Sequence, residues 1–135
     1  MCSNCHVLWR GVKSMKIVLV DDDPDLIEIM YLSLQNAGHE VVASPAGAPI
    51  VPTLKSDPPD LLITDLVMAE LTGLELCELV KANARLSGMK IILISARIDK
   101  LWKDKARACG ADGFIEKPID PVTFAADVEQ IVASA

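Results

Sequence analysis

The sequence predicts an α/β domain: a doubly wound, five-stranded parallel sheet with helices on both faces. Three observations lead there. From Lys16 onward, short apolar runs alternate with segments of helical periodicity across a chain of 135 residues. The runs Ile17-Val18-Leu19-Val20, Leu61-Leu62-Ile63-Thr64 and Ile91-Ile92-Leu93-Ile94 have no alternating polar face, as expected of strands covered on both sides. Two of these runs are followed at once by carboxylates, Asp21-Asp22-Asp23 and Asp65, at the end of the strand where open parallel sheets place their chemistry. Strand–helix alternation implies right-handed crossovers between parallel neighbours.

The elements follow in order. Lys16 to Asp21 reads as strand one. Asp23-Pro24 reads as an N-cap with proline at the first helical position, opening helix one to about Ala37, with Gly38 as its stop. Glu40 to Ser44 is strand two. Pro45, Pro49 and Pro52 interrupt the next segment, and proline inside a helix costs roughly 3 kcal/mol, so a short helix from about Pro52, or a loop, is expected. Pro58-Pro59 leads extended into strand three, Asp60 to Thr64. Thr72-Gly73-Leu74-Glu75 has the spacing of a capping box and opens helix three to about Leu86. Lys90 to Ser95 is strand four, Asp99 to Cys109 helix four, and Gly113 to Glu116 strand five. Asp120-Pro121 repeats the cap-plus-proline pattern and starts helix five.

Composition bounds the function. The chain is 51% apolar and 24% charged, ordinary for a globular domain. A net charge of -6 argues against a nucleic-acid-binding face, which would be basic. No apolar run approaches the roughly 20 residues that cross a bilayer, and no secretory leader pattern opens the chain. Of Cys2, Cys5, Cys77 and Cys109, the last two fall in predicted helices as small apolar residues, so no disulfide framework is expected and a reducing cytoplasm fits. Residues 1–14 read as an extension, with Met15 as the original start and 15–135 as the domain. Cys2-Ser3-Asn4-Cys5-His6 matches a haem-attachment pattern without an export signal, and a zinc site would lack its second ligand pair.

The chemistry gathers at strand ends. Asp21, Asp22 and Asp65 would meet there, and close carboxylates raise one another's pKa unless a cation compensates. A hard divalent ion is the natural remedy, and Mg2+ takes few protein carboxylates. Ser95 ends strand four and Lys117 follows strand five, within reach of the same point. A hydroxyl, a lysine and a metal around one carboxylate suit phosphoryl transfer, with Asp65 as the nucleophile. Each of these residues alone has an ordinary structural reading, and Asp23 reads better as a cap than as a ligand.

Val20-Asp21-Asp22-Asp23, Ile63-Thr64-Asp65, Thr72-Gly73, Ile94-Ser95-Ala96, Gly110-Ala111-Asp112-Gly113-Phe114 and Lys117-Pro118 together resemble the receiver domain of bacterial two-component response regulators, over about Met15 to Val132. The resemblance implies a flavodoxin-like sheet in the order 2-1-3-4-5. It implies Asp65 as phosphoacceptor from a histidine kinase or histidine phosphotransfer protein, Asp22 as a direct Mg2+ ligand beside Asp65, Asp21 acting through water, and the Val67 carbonyl as a further ligand. It implies Ser95 as the switch hydroxyl, Lys117 as the phosphate-binding lysine, Phe114 as the rotating aromatic, and a cis Lys117-Pro118 bond. Ala69 stands where relatives usually carry proline, and the apolar Val67 occupies a position that tunes dephosphorylation.

Two surfaces are further expectations. Leu26, Ile29, Met30 and Leu34 would form the buried stripe of helix one, leaving Ile27 and Tyr31 as an exposed kinase-docking patch. Lys100, Lys103, Lys105 and Arg107 would face Asp127 and Glu129 of a second copy in a dimer through helix four, strand five and helix five. The leading function is a stoichiometric phosphoryl switch, not an enzyme. The alternatives are the same domain excised from a larger regulator or hybrid kinase, and an aspartyl-nucleophile phosphohydrolase, which would want a second Asp where Val67 stands.

Overall fold

A computed structural model describes residues 14–66, 72–86, 88–96 and 100–134. Five strands, β1 (Lys16–Val20), β2 (Glu40–Ser44), β3 (Leu61–Asp65), β4 (Lys90–Ser95) and β5 (Gly113–Glu116), alternate with five helices. These are α1 (Pro24–Asn36), α2 (Val51–Ser56), α3 (Gly73–Ala82), α4 (Lys100–Ala108) and α5 (Phe124–Ser134). All strand pairs are parallel and the order is β2-β1-β3-β4-β5, the doubly wound arrangement that the alternation predicts.

The period of two along each strand divides the core into two layers. Val18, Val20, Leu62, Ile91 and Leu93 pack with Leu54 of α2 and with Leu76, Cys77 and Val80 of α3. Ile17, Leu19, Leu61, Ile63, Ile92 and Ile94 face the opposite way, onto Met30 and Leu34 of α1 and Phe124 and Val128 of α5. Both faces of the central strands are dry, so their sequences need no polar alternation.

Local signals set most boundaries. The Asp23 carboxylate accepts from the Asp25 and Leu26 amides at 3.0 and 3.3 Å, and Pro24 opens α1. Gly38, at φ +96°, ends it: the Gly38 amide bonds Gln35 O and the His39 amide bonds Leu34 O. Both halves of the Thr72/Glu75 capping box are present. Pro49 lies in a single 3-10 turn, Ala48–Ile50, and Pro52 in the first turn of the six-residue α2, where a missing N–H costs nothing.

Some expectations need correction. Helix three stops at Ala82, because the Asn83 side chain accepts from the Arg85 amide and draws the chain into a turn. Helix five begins at Phe124, not at Asp120. There the Asp120 carboxylate holds the Val122 amide and its carbonyl holds Thr123 and Phe124, so Pro121 sits in a turn. Cys109 falls just past α4. In α1, Ile29 is exposed together with Leu32, whereas Ile27 is half-buried and Tyr31 packs on the second core layer. Ile27 and Tyr31 are thus each half-buried, and the exposed apolar side chains of α1 are Ile29 and Leu32. Glu129 is buried, not on an outer face, which removes it from any charge pairing across a dimer.

Glu129 instead meets His39. Their side chains are 7% and 0% exposed, and Nε2 lies 2.8 Å from Glu129 Oε2. The Met15 amide donates to His39 Nδ1 at 3.0 Å, so the proton of the neutral imidazole sits on Nε2 and is donated to the carboxylate. This relay ties the approach to β1, the α1–β2 corner and α5 together. His39→Leu removes one donor from the buried Glu129 carboxylate and the acceptor of the Met15 N–H and is expected to cost about 2–4 kcal/mol in urea unfolding, with Glu129→Gln losing less.

Candidate functional site

The register places the acidic residues. β1 pairs with β3 so that Val20 sits beside Thr64, and Asp21 and Asp65 come next on adjoining strands. Asp65 pairs in turn with Ile94 of β4, and Ser95 with Glu116 of β5. Asp21, Asp22 and Asp65 each offer a carboxylate oxygen within 4.8 Å of the others. Asp21 is fully buried and Asp65 nearly so, while Asp22 is exposed.

Lys117 enters from the end of β5. Its amide bonds Ser95 O, and the Lys117-Pro118 bond is cis. Its ammonium lies 3.3 Å from Asp21 Oδ2 and 3.5 Å from Asp65 Oδ2, so one cation bridges two strands' carboxylates. Burial pushes the Asp21 carboxyl up, and the charge of Asp22 adds to this. The Asp23 amide, which donates to Asp21 Oδ1 at 2.9 Å, and Lys117 work the other way without cancelling it. Burial alone would lower the Lys117 ammonium, but Asp21 and then Asp65 hold it above its ordinary value.

Asp21 Oδ2 is buried and receives no well-formed hydrogen bond despite the nearby ammonium. An under-coordinated buried oxygen among three carboxylates fits a hard divalent cation. Val67, Met68 and Ala69, like Cys2, Cys5 and His6, lie outside the described residues. Ser95 is 5% exposed at the end of β4. Phe114 pairs with Leu93, is half-buried against the first core layer, and carries the Arg107 guanidinium 5.7 Å from its ring centroid.

Gly73 has a role that motif reading does not convey. A Cβ at this position would lie 2.3 Å from the carbonyl oxygen of Asp65 and 3.0 Å from Leu66 Cα. The start of α3 can therefore press against the backbone of Asp65 only because residue 73 has no side chain. The Gly73 amide bonds Leu66 O at 3.1 Å, closing the loop at its base.

The sheet order is that of flavodoxin-like folds, with acidic residues at the carboxyl ends of its first and third strands. Residues 17–129 match the response regulator receiver domain, and the chain belongs to that family. Receiver domains are signalling domains of two-component systems, and phosphorylation and Mg2+ binding are general properties of the family. The DNA-binding response regulator MtrA of Mycolicibacterium smegmatis is 28% identical over 113 residues, 84% of this chain and 48% of that protein. The chain spans about half the length of such curated relatives, as it does for the alkaline phosphatase synthesis regulator PhoP of Bacillus subtilis, at 25% identity and 48% of that protein. Among solved structures, the signal receiver domain of a signal transduction histidine kinase from Syntrophus aciditrophicus is 30% identical with a TM-score of 0.79, covering 90% of this chain and 92% of that one. The chemotaxis protein CheY4 of Vibrio cholerae superposes with a TM-score of 0.82 over 87% of this chain and 98% of that one, and at 24% identity it speaks for the fold alone.

Two outcomes follow from this geometry. Lys117→Met, with chelator present, removes the cation shared by the buried Asp21 and Asp65 and is expected to lower unfolding free energy by about 1–3 kcal/mol. Adding Asp21→Asn should recover part of that loss in a double-mutant cycle. Gly73→Ala is expected to shift the Asp65 and Leu66 amide resonances and lower the melting temperature, whereas Gly88→Ala, with open space around it, should do neither.

Proposed function

We propose that this domain is a phosphoryl switch in which Asp65 accepts a phosphoryl group from the phosphohistidine of a histidine kinase or histidine phosphotransfer protein. The observation that carries this reading is the bridge of Lys117 between Asp21 and Asp65 inside a cluster of three carboxylates. Asp22 and Asp65 would hold Mg2+ directly, Asp21 through water, and the Val67 carbonyl would complete the protein's share. Bound there, the ion supplies charge neutralisation for the phosphoryl oxygens.

The protein's own groups do the rest. An Asp65 carboxylate oxygen attacks phosphorus, and the phosphorus–nitrogen bond of the donor breaks with its electron pair leaving on the imidazole, which is then protonated. Lys117, already beside Asp65 Oδ2, binds the new dianion's oxygens and is partly released from Asp21. Ser95, at the end of the adjoining strand, supplies the hydroxyl that follows the phosphoryl group inward. Phe114 turns into the space behind it, repacking the face of α4, β5 and α5. The shift is limited to the difference in the phosphoryl group's interaction with the two states.

The domain works stoichiometrically, accelerating its own phosphorylation and dephosphorylation rather than turning over a substrate. We place it in the cytoplasm, acting through protein partners and not touching nucleic acid itself. Among the described residues no helix is long and apolar enough to cross a membrane. A second reading, the receiver part of a longer regulator or hybrid kinase, draws on the half-length match to curated relatives. The dimer through α4, β5 and α5 loses one proposed pairing with Glu129 buried, though Asp127 stays exposed.

Incubation with acetyl phosphate and Mg2+ is expected to add the mass of one phosphoryl group, located at Asp65 by peptide mapping. Asp65→Ala, or chelation of the metal, should abolish the gain. An unchanged gain in Asp65→Ala would overturn the assignment.

A further inference from the structure

Cys77 and Cys109 are unbridged and lie against each other, although 32 residues apart in sequence. Cys77, inside α3, has no exposed surface, and its thiol donates to the Cys109 carbonyl at 3.2 Å. Cys109, just past α4, is half-buried; its own thiol donates to Ala106 O at 3.1 Å. Cys109 lines a groove of about 320 Å3 between α3 and α4, together with Leu74, Glu78, Lys105 and Ala108. Cys109 is therefore the more accessible residue of the two, and Cys77 is sealed.

We propose that this pair is an oxidation site, in which a hydroperoxide reacts at Cys109 and Cys77 then closes a disulfide tying α3 to the foot of α4. In the first step the Cys109 thiolate attacks the peroxide, the O–O bond breaks, and Cys109 becomes a sulfenic acid while the departing oxygen is released as water or alcohol. In the second, Cys77 attacks the Cys109 sulfur, the S–O bond breaks, and the oxygen leaves as water with the proton of the Cys77 thiol. Two thiols lose two electrons in all, and the peroxide takes them up.

The surroundings set the pace. Burial pushes the Cys77 thiol up, and its contact with Cys109 pushes it further; Lys81 opposes this and Asp112 adds to it. The resolving thiolate is scarce at neutral pH, so closure is slow and quickens with alkali. In the reverse direction Cys77 is a poor leaving group, so the bond, once made, resists small thiols. Neither sulfur is part of the acidic cluster, so acceptance of a phosphoryl group at Asp65 stays open. Fixing the foot of α4 restrains the helix that moves after acceptance, a consequence that rests on the function proposed above.

The test uses the full chain carrying Cys2→Ser and Cys5→Ser, so that no other thiol competes. Treated with hydrogen peroxide and digested without reductant, it is expected to yield a joined peptide containing Cys77 and Cys109, with the intact mass lower by two hydrogens and faster formation at alkaline than at neutral pH. Cys109→Ser should abolish the joined peptide while leaving acetyl-phosphate labelling unchanged. Accumulation of Cys109 sulfinic acid with no joined peptide, or equal rates at the two pH values, would overturn the proposal. Absence of labelling at Asp65 would strike the functional reading alone, because the disulfide is read by mass without it.

Discussion

The site depends on a crowd of like charges held at the carboxyl ends of two adjoining strands. Three carboxylates within 4.8 Å repel one another, and taking Asp21 fully out of water adds a desolvation cost. Chain connectivity and apolar burial hold them there, since β1 and β3 pair from Ile17 and Leu61 up to Val20 and Thr64. Lys117 offsets part of the repulsion by touching both strands' carboxylates. The remainder is an unmet demand for positive charge of the kind a hard divalent cation would meet.

Gly73 and the capping box shape the same region from behind. The start of α3 lies against the Asp65 carbonyl because no Cβ intervenes, and Thr72 and Glu75 satisfy the first amides of that helix among themselves. Those amides are not needed by the acidic cluster, and the backbone of Asp65 is fixed by contact rather than by charge. On the reading proposed above, a backbone fixed at Asp65 beside an electrostatically uneasy cluster would suit a two-state response.

Much of this was legible in the sequence because it is written locally. Asp23-Pro24, Thr72-x-x-Glu75 and the unbroken apolar runs each specify structure within a few residues, and the placing of Asp21, Asp65 and Lys117 follows once parallel strands are inferred. The reading failed where a competing local bond or a distant partner decides. Asn83 ends α3 early through its own side chain, and Asp120 builds a turn before α5. Glu129 looked like a surface charge because its partner, His39, is 90 residues away. Ile29 is exposed and Ile27 only half-buried because α5 and the sheet, not the helix period alone, determine which side of α1 is covered. The need for glycine at 73 is a clearance between two backbones, invisible to any pattern of residue types.

A second set of polar ties between elements lies at the other rim of the sheet. His39 joins Glu129 and the Met15 amide there, Asp60 receives the Lys16 amide, Lys16 pairs with Asp57, and Asp112 holds the Ile91 amide near Lys81. These ties fasten the strands' starting ends, so a local opening at the carboxyl ends would leave the topology in place.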